Sequence, residues 1–333
     1  MATEDAPGDS VELDAFVDVV PDDQLRLMFL CCHPALSPDA QVALTLRLLG
    51  GLQTSEIARA FLVPEATMAQ RIVRAKRKLR DNHAAYRIPG AAELPGRLHV
   101  VLTAISLIFT EGHTATSGSE LVRTELSDEA IRLGRVLVGL VPDEHEAIGL
   151  LALMLLTDAR RAARVGPDGS MVRLADQDRS RWARELIDEG HELVRACLRS
   201  NRPGPFQIQA AIAAVHADAP TAEATEWAQI VALYDQLLAV HPSPVVKLNR
   251  AIALGARNGP DAALIVLDGL TVGERAALAD YQPYHAARAD LLARAGRRAD
   301  AATAYSRAIE LTANPAERRF LERQSARVTP GDG

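Results

Sequence analysis

Gly50–Arg80 reads GGLQTSEIARAFLVPEATMAQRIVRAKRKLR. Its last ten residues hold six Arg and Lys, in a chain whose formal net charge is -6. At about 100° per residue, Met68, Ile72, Ala75 and Leu79 fall on one narrow stripe. Arg71, Arg74 and Lys78, with Thr67, line one flank of that stripe. Lys76, Arg77 and Arg80 lie elsewhere on the non-core surface. The spacing predicts a helix that starts at Pro64, packs through a thin apolar seam and presents cations on the rest of its surface. A shorter helix precedes it, with Thr54 as its cap, Glu56 near its N-terminus, and Ile57 and Phe61 facing inward; LVPE turns the chain between the two. Two helices on a short turn, the second basic, form a helix-turn-helix whose second helix enters the DNA major groove. An ordinary solvated face is the plainer reading. Six cations against one acid, Glu65, argue against it in an acidic chain.

Upstream, Asp22–His33 places Leu25, Met28, Phe29 and Cys32 at helical spacing, and Pro34 stops that helix. Ser37-Pro38-Asp39 then supplies an N-cap, a first-turn proline and an acid at the positive end of the dipole. Gly50-Gly51 ends this second helix. Residues 1–23 hold eight Asp and Glu and no Lys or Arg, and read as an extended, solvated acidic segment.

Downstream, IPGAAELPG (Ile88–Gly96) reads as a linker. From Arg97 to about Ala217 the chain reads as buried helices. In RVGPDGSMVRL (Arg164–Leu174), GPDG separates two short β-prone runs, so one small β-hairpin is expected. From Thr225 the pattern becomes helix, turn, helix. In Tyr284–Pro315, Ala287, Ala295, Gly296, Ala302 and Ala308 recur where helix pairs approach closely, with Tyr305 as a large partner. That style resembles a tetratricopeptide (TPR) repeat. The expected class is all-α, in five parts: an acidic tail (1–21), a helix-turn-helix domain (22–86), a linker (87–96), a helical extension (97–220) and TPR-like repeats (221–328).

The bulk numbers fit that class. The 333 residues are 48% hydrophobic and 24% charged, with aromatics at only 4%, which favours helix over sheet. Three cysteines, Cys31, Cys32 and Cys197, make no disulfide framework and suggest a reducing compartment. CCHP lacks a second Cys/His pair at zinc spacing. No positive n-region opens the chain, and no apolar run nears the roughly 20 residues that span a bilayer. A cytoplasmic protein is expected. No Ser/His/Asp grouping, Walker loop or G-x-G-x-x-G occurs, so neither enzyme activity nor a cofactor is expected. Glu111, His113 and Glu120 could be taken for a metal cluster; a solvated turn is the better reading. Arg160, Arg161 and Arg164, with Asp158, and Asp176, Asp178 and Arg179, with Arg181, form a dense charged region. It is either a docking site for a partner or ligand, or an ion-pair network between helix and hairpin. Trp182 and Trp227 read as core or repeat-interface anchors.

ALTLRLLGGLQTSEIARAFLVPEATMAQRIVRAKRKLR resembles domain 4 of the sigma-70 superfamily, in its extracytoplasmic-function (ECF) group. Thr67, Arg71, Arg74 and Ala75 match that group's recognition helix, while Pro64, Ala66 and Ala69 replace its Ser, Gly and Lys. FLVPEATMAQR, PDDQLRLMFLCCHPALSP, IFTEGHTATSG, LADQDRSRW, RPGPFQIQAAIAAVHADAP and NPAERRFLERQ are similar to the ECF subgroup with a long TPR-like C-terminal extension. The resemblance runs from about residue 20 to the C-terminus. It implies that Glu65, Thr67, Gln70, Arg71 and Arg74 face the promoter -35 element, with Thr54 and Lys78 at phosphates. It also implies that the helices of residues 22–49 face the β-flap of core RNA polymerase, and that the acidic residues 1–23 enter the RNA-exit path. A small YCII-related (DGPF) protein is implied as a possible partner. Nothing corresponds to domain 2, which opens the -10 element. The chain is therefore expected either to be part of a longer sigma factor or not to melt DNA itself. Two other functions stay open: a non-sigma DNA-binding regulator with a TPR-like sensor, and a TPR scaffold in which the helix-turn-helix docks a protein.

Overall fold

The computed structural model describes residues 22–32, 35–81, 94–116, 118 and 120–328. The acidic segment 1–21, Pro34 and linker residues 87–93 lie outside the described residues. Sixteen α-helices, and no named strand, occur among those described.

Helix α1 (Asp23–Cys31) starts where Asp22 accepts a hydrogen bond from the Leu25 amide at 2.9 Å. Helix α2 (Pro38–Leu48) begins with Pro38 at N1 behind an extended Ser37, whose side chain makes no cap bond. Ala40 through Leu46 of α2 are all buried, so it forms the centre of the unit. The Gly50-Gly51 corner follows. Gly51 takes φ +65°, and a Cβ on Gly50 would sit 3.0 Å from the Ile108 side chain. One glycine makes the turn and the other admits a neighbouring helix.

Helix α3 (Thr54–Ala60) begins one residue earlier in capping terms than the sequence predicts. Gln53, not Thr54, is the N-cap, and the Glu56 carboxylate accepts from the Gln53 amide at 2.7 Å. Helix α4 (Glu65–Asp81) follows the turn, with Pro64 just outside it. Its seam is buried as read: Met68, Ile72 and Ala75 are covered, and Leu79 is partly covered.

Helix α5 (Leu94–His113) lies against this unit. Pro95 and Gly96, read as linker, belong to its first turn, where proline's missing N–H costs nothing. The largest core is continuous across the join: Leu25, Met28, Phe29, Leu46, Ile57 and Met68 share it with Val101, Ile105 and Ile108. The buried Arg97 guanidinium donates to the Phe29 carbonyl at 3.1 Å. Helices α6 (Thr124–Leu140) and α7 (His145–Asp158) extend the same core through Leu133, Leu137, Leu151 and Leu155.

Three short 3-10 turns, Arg161–Ala163, Leu174–Asp176 and Arg179–Arg181, lead to α8 (Arg184–Ser200). The expected hairpin reduces to one antiparallel bridge, Val165 to Met171. The turn forms: the Gly166 amide donates to the Ser170 carbonyl at 2.8 Å, and Asp168 accepts from the Ser170 amide and hydroxyl. The Val172 amide adds one bond to the Arg164 carbonyl. Then Arg173 pairs with Asp176 at 2.7 Å and with Asp290 at 3.4 Å, and the chain turns away before a strand can grow.

Helix α9 (Pro205–Asp218) packs on α7. Helices α10 (Trp227–Val240), α11 (Pro244–Asn258), α12 (Pro260–Asp268), α13 (Val272–Leu278), α14 (Gln282–Arg294), α15 (Arg298–Leu311) and α16 (Pro315–Val328) continue the chain. Chain neighbours pack on one another except at α13, where α12 packs directly on α14 and α13 rests on α11; the last core sets small Ala301, Ala304 and Ala308 against large Tyr305, Leu291 and Leu292.

The far end returns to α5. Asn314, fully buried, donates through Nδ2 to the carbonyls of Ala115 at 3.0 Å and Glu120 at 2.8 Å. Its Oδ1 accepts from the Ala316 amide at 2.9 Å and so caps α16. Arg323 reaches Asp168 from the same helix, at 3.5 Å.

Candidate nucleic-acid interface

The turn between α3 and α4 is a Schellman closure. The Val63 amide bonds the Ala58 carbonyl and the Leu62 amide bonds the Arg59 carbonyl, both at 3.0 Å. Leu62 holds the left-handed position, φ +52°, where glycine is usual. Val63 packs into the core and fixes the angle at which α4 leaves.

From that angle α4 shows most of its surface to solvent. Glu65, Thr67, Gln70 and Arg74 are exposed, and so are Lys76, Arg77 and Lys78; Thr54 is half-buried at the start of α3. Arg74, Lys76, Arg77 and Lys78 have no ion-pair partner among the described residues, so their charge is uncompensated. Arg71 differs. It pairs with Asp39 of α2 at 3.2 Å, and its guanidinium stands over the Phe61 ring at 5.8 Å. Sequence reasoning missed both partners, because they lie on other helices. The pair is solvent-exposed on the Asp39 side, and such pairs hold by only about 0–1 kcal/mol.

Behind the exposed face of α4, α3 is tied to the extension. Glu56, 5% exposed, meets Arg123 at 3.4 Å, and Arg123 also approaches Glu111 and Glu125. Arg59 donates to the Thr116 carbonyl. Glu111 is 4% exposed and accepts from the Thr116 amide and hydroxyl, each at 3.0 Å. Burial, with the Glu56 carboxylate adding to it, pushes its carboxyl above the usual range. His113 stacks on Phe109 at 5.6 Å. The solvated turn expected for Glu111, His113 and Glu120 is thus corrected in part: Arg59, Arg123 and Asn314 pin this loop from three sides, and of these three residues Glu120 is the exposed one. No cluster of three or more metal-ligating side chains occurs among the described residues.

The second candidate region is mostly consumed by its own structure. Arg161 pairs with Asp128 at 2.6 Å and Asp158 at 2.8 Å. Arg164 donates to the His113 carbonyl and the Thr114 hydroxyl. Asp176 holds Arg173, and Asp178 caps its own turn through Ser180. Arg179 donates to the carbonyls of His216 and Ala219, both at 2.8 Å, and lies over the Trp182 ring at 4.4 Å. Trp182 is buried, and Trp227 packs edge-on to His216 at 5.3 Å. Arg160 alone of the six candidates has no hydrogen-bond or ion-pair partner among the described residues.

Residues 26–79 match the family Sigma-70, region 4. This span holds α2, α3 and most of α1 and α4, with every residue assigned to DNA. A protein of Rhizobium meliloti (strain 1021), described as uncharacterized, is 47% identical over 303 residues, covering 91% of this chain and 71% of the relative. The chain carries a sigma-70 region 4 domain. Residues 97–198 match a family of unknown function, DUF6596, which takes in α6, α7, most of α5 and most of α8. Region 4 makes this a transcription-factor-like, DNA-binding chain. Among its described residues no helix is long and apolar enough to cross a membrane.

Proposed function

We propose that the chain is the promoter-reading part of an ECF-type sigma factor with a TPR-like extension, and that α4 reads the -35 element for RNA polymerase. The observation that carries this reading is the surface of α4: a narrow seam of three buried residues, and four cations without ion-pair partners among the described residues on the rest. Gln70, Arg71 and Arg74 read base edges, since Gln fits adenine and Arg fits guanine bidentately. Thr54 and Lys78 hold phosphates, and Thr67 and Glu65 border the first bases. Helices α1 and α2 offer the surface for the polymerase β-flap. The region of Arg161, Arg164, Asp176, Asp178 and Arg179 serves chiefly to brace the extension, which sets the activity of the reading unit or docks to polymerase. Neither the fold nor the matched families support the YCII-related partner.

The test is anisotropy of labelled -35 DNA at matched salt, together with capture of core RNA polymerase. Arg74→Ala should cost about 1–3 kcal/mol and relax preference at one base pair; Lys78→Ala should weaken all sequences alike and reduce the salt slope by about one. Arg71→Ala should cost less than Arg74→Ala, because Arg71 must first leave Asp39. Unchanged DNA affinity in both arginine variants overturns the reading of α4. DNA binding without any capture of core polymerase overturns the sigma role while leaving α4 intact.

A further inference from the structure

A cavity of about 230 Å³ lies where α7, α9, α10 and the Leu174 turn meet. Its apolar lining is Leu153, Leu174, Ile212 and Ala213; its polar part holds Arg160, Gln209, His216 and Tyr234. This polar part is unfinished. Nδ1 of His216 is buried with no hydrogen-bond partner. The Tyr234 hydroxyl and the Arg160 guanidinium also have none among the described residues. The acids nearby are spoken for: Asp158 is held by Arg161 and Asp178 by its own turn. Arg179 faces the same part, but carbonyls and Trp182 engage it. A folded chain rarely leaves a polar atom unpaired where it has lost its hydration, as Nδ1 of His216 has, beside a cation that no acid neutralises.

We infer that this cavity binds a small organic anion, with its carboxylate on Arg160 and its hydrocarbon body against Leu153, Leu174 and Ile212. Charge supports this assignment. Burial and the neighbouring Arg179 lower the Arg160 guanidinium only to about 10, so it stays a cation at neutral pH. Burial and the two arginines push His216 down to about 4, so its ring is neutral there and can donate one hydrogen bond without adding charge. Size supports it too. An apolar cavity of about 150 Å³ holds benzene, so this one takes an acid of six to eight carbons. Its walls come from both sides of residue 198, where the DUF6596 match ends, so neither half makes the site alone.

The experiment uses the full chain without DNA or polymerase, so it stands apart from the promoter reading. Hexanoate, hexanamide and inorganic phosphate are titrated in turn, followed by heat and by tryptophan fluorescence. Trp182 and Trp227, the only two tryptophans, flank the polar part. Hexanoate should saturate at one per chain and bind at least about tenfold tighter than its uncharged amide. Phosphate, lacking the hydrocarbon body, should bind more weakly than hexanoate. Arg160→Gln should lose about tenfold for hexanoate and nothing for hexanamide. Equal affinity for acid and amide in the unaltered chain overturns the proposal whether or not the variant folds. Absence of saturable hexanoate binding at millimolar concentration overturns it, as does phosphate binding as tightly as hexanoate.

Discussion

At the scale of single residues, two side chains sit in states that cost free energy. Leu62 occupies the left-handed region, where an L-residue pays roughly 1–2 kcal/mol. Glycine would remove that strain at an entropic cost of roughly 0.5–1 kcal/mol. Leu62 is 38% exposed, so little burial is at stake. Leu62→Gly should therefore raise unfolding stability by about 0.5–1 kcal/mol, read as a shifted denaturant midpoint at constant slope. His216 is the second case. Its ordinary value of 6.5 falls to about 4, through burial and then through Arg160 and Arg179. The folded state thus binds fewer protons than the unfolded one between those values. The contribution is fully present above pH 6.5 and is lost as pH falls towards 4, by about 3 kcal/mol in all. Stability of His216→Gln should fall less steeply over that window, by up to about 1.4 kcal/mol per pH unit; parallel curves would show that the histidine titrates normally. Residue identities in the sequence indicate which groups are able to read DNA. They could not show that Asp39 and Phe61 hold Arg71, because both partners come from other helices.

At the scale of elements, the reading helix was legible because its apolar spacing is strict and its other faces are charged. Met68, Ile72 and Ala75 are buried where period 3.6 puts them. The start of α3 was misplaced by one residue because Thr54 is the better capping type. Glu56 stands three residues from Gln53, and that spacing decides which amide it reaches. The hairpin shows the opposite failure. GPDG does make its turn, but strand length is set by Arg173, which Asp290 pulls away from 117 residues further along. The apolar run of α5 announced burial without saying against what. Since α5 completes the core of α1–α4, residues 22–81 alone should be poorly helical and should expose the faces of Leu25, Phe29 and Leu46. Residues 22–140, which restore α5 and α6, should unfold cooperatively; circular dichroism with a denaturant series distinguishes the two fragments. A fully cooperative 22–81 fragment would mean that the shared core adds little.

At the scale of the molecule, the helices form a path that bends until its far end meets the α5–α6 loop. Asn314 is the contact that closes it, with two donated bonds to the α5–α6 loop and one accepted bond that caps α16. Asn314→Ala leaves two loop carbonyls unpaired and removes a cap, at about 2–4 kcal/mol together. Hydrogen exchange should quicken at residues 114–121, and at the start of α3, which Arg59 and Arg123 tie to that loop. Faster exchange at α16 alone would show that the cap matters and the closure does not. None of this was legible beforehand. The sequence marks Asn314 before a proline, a good helix start, and gives no sign that its amide nitrogen serves a loop nearly two hundred residues away.

That separation has a consequence in time. The Asn314 bonds span 199 and 194 residues. A ribosome adding about 5–20 residues per second takes roughly 10–40 s to cover that distance. Helices α1–α6 thus leave the exit tunnel and can fold together well before their brace is synthesised. For that interval, each nascent copy carries its basic helix on an unbraced platform.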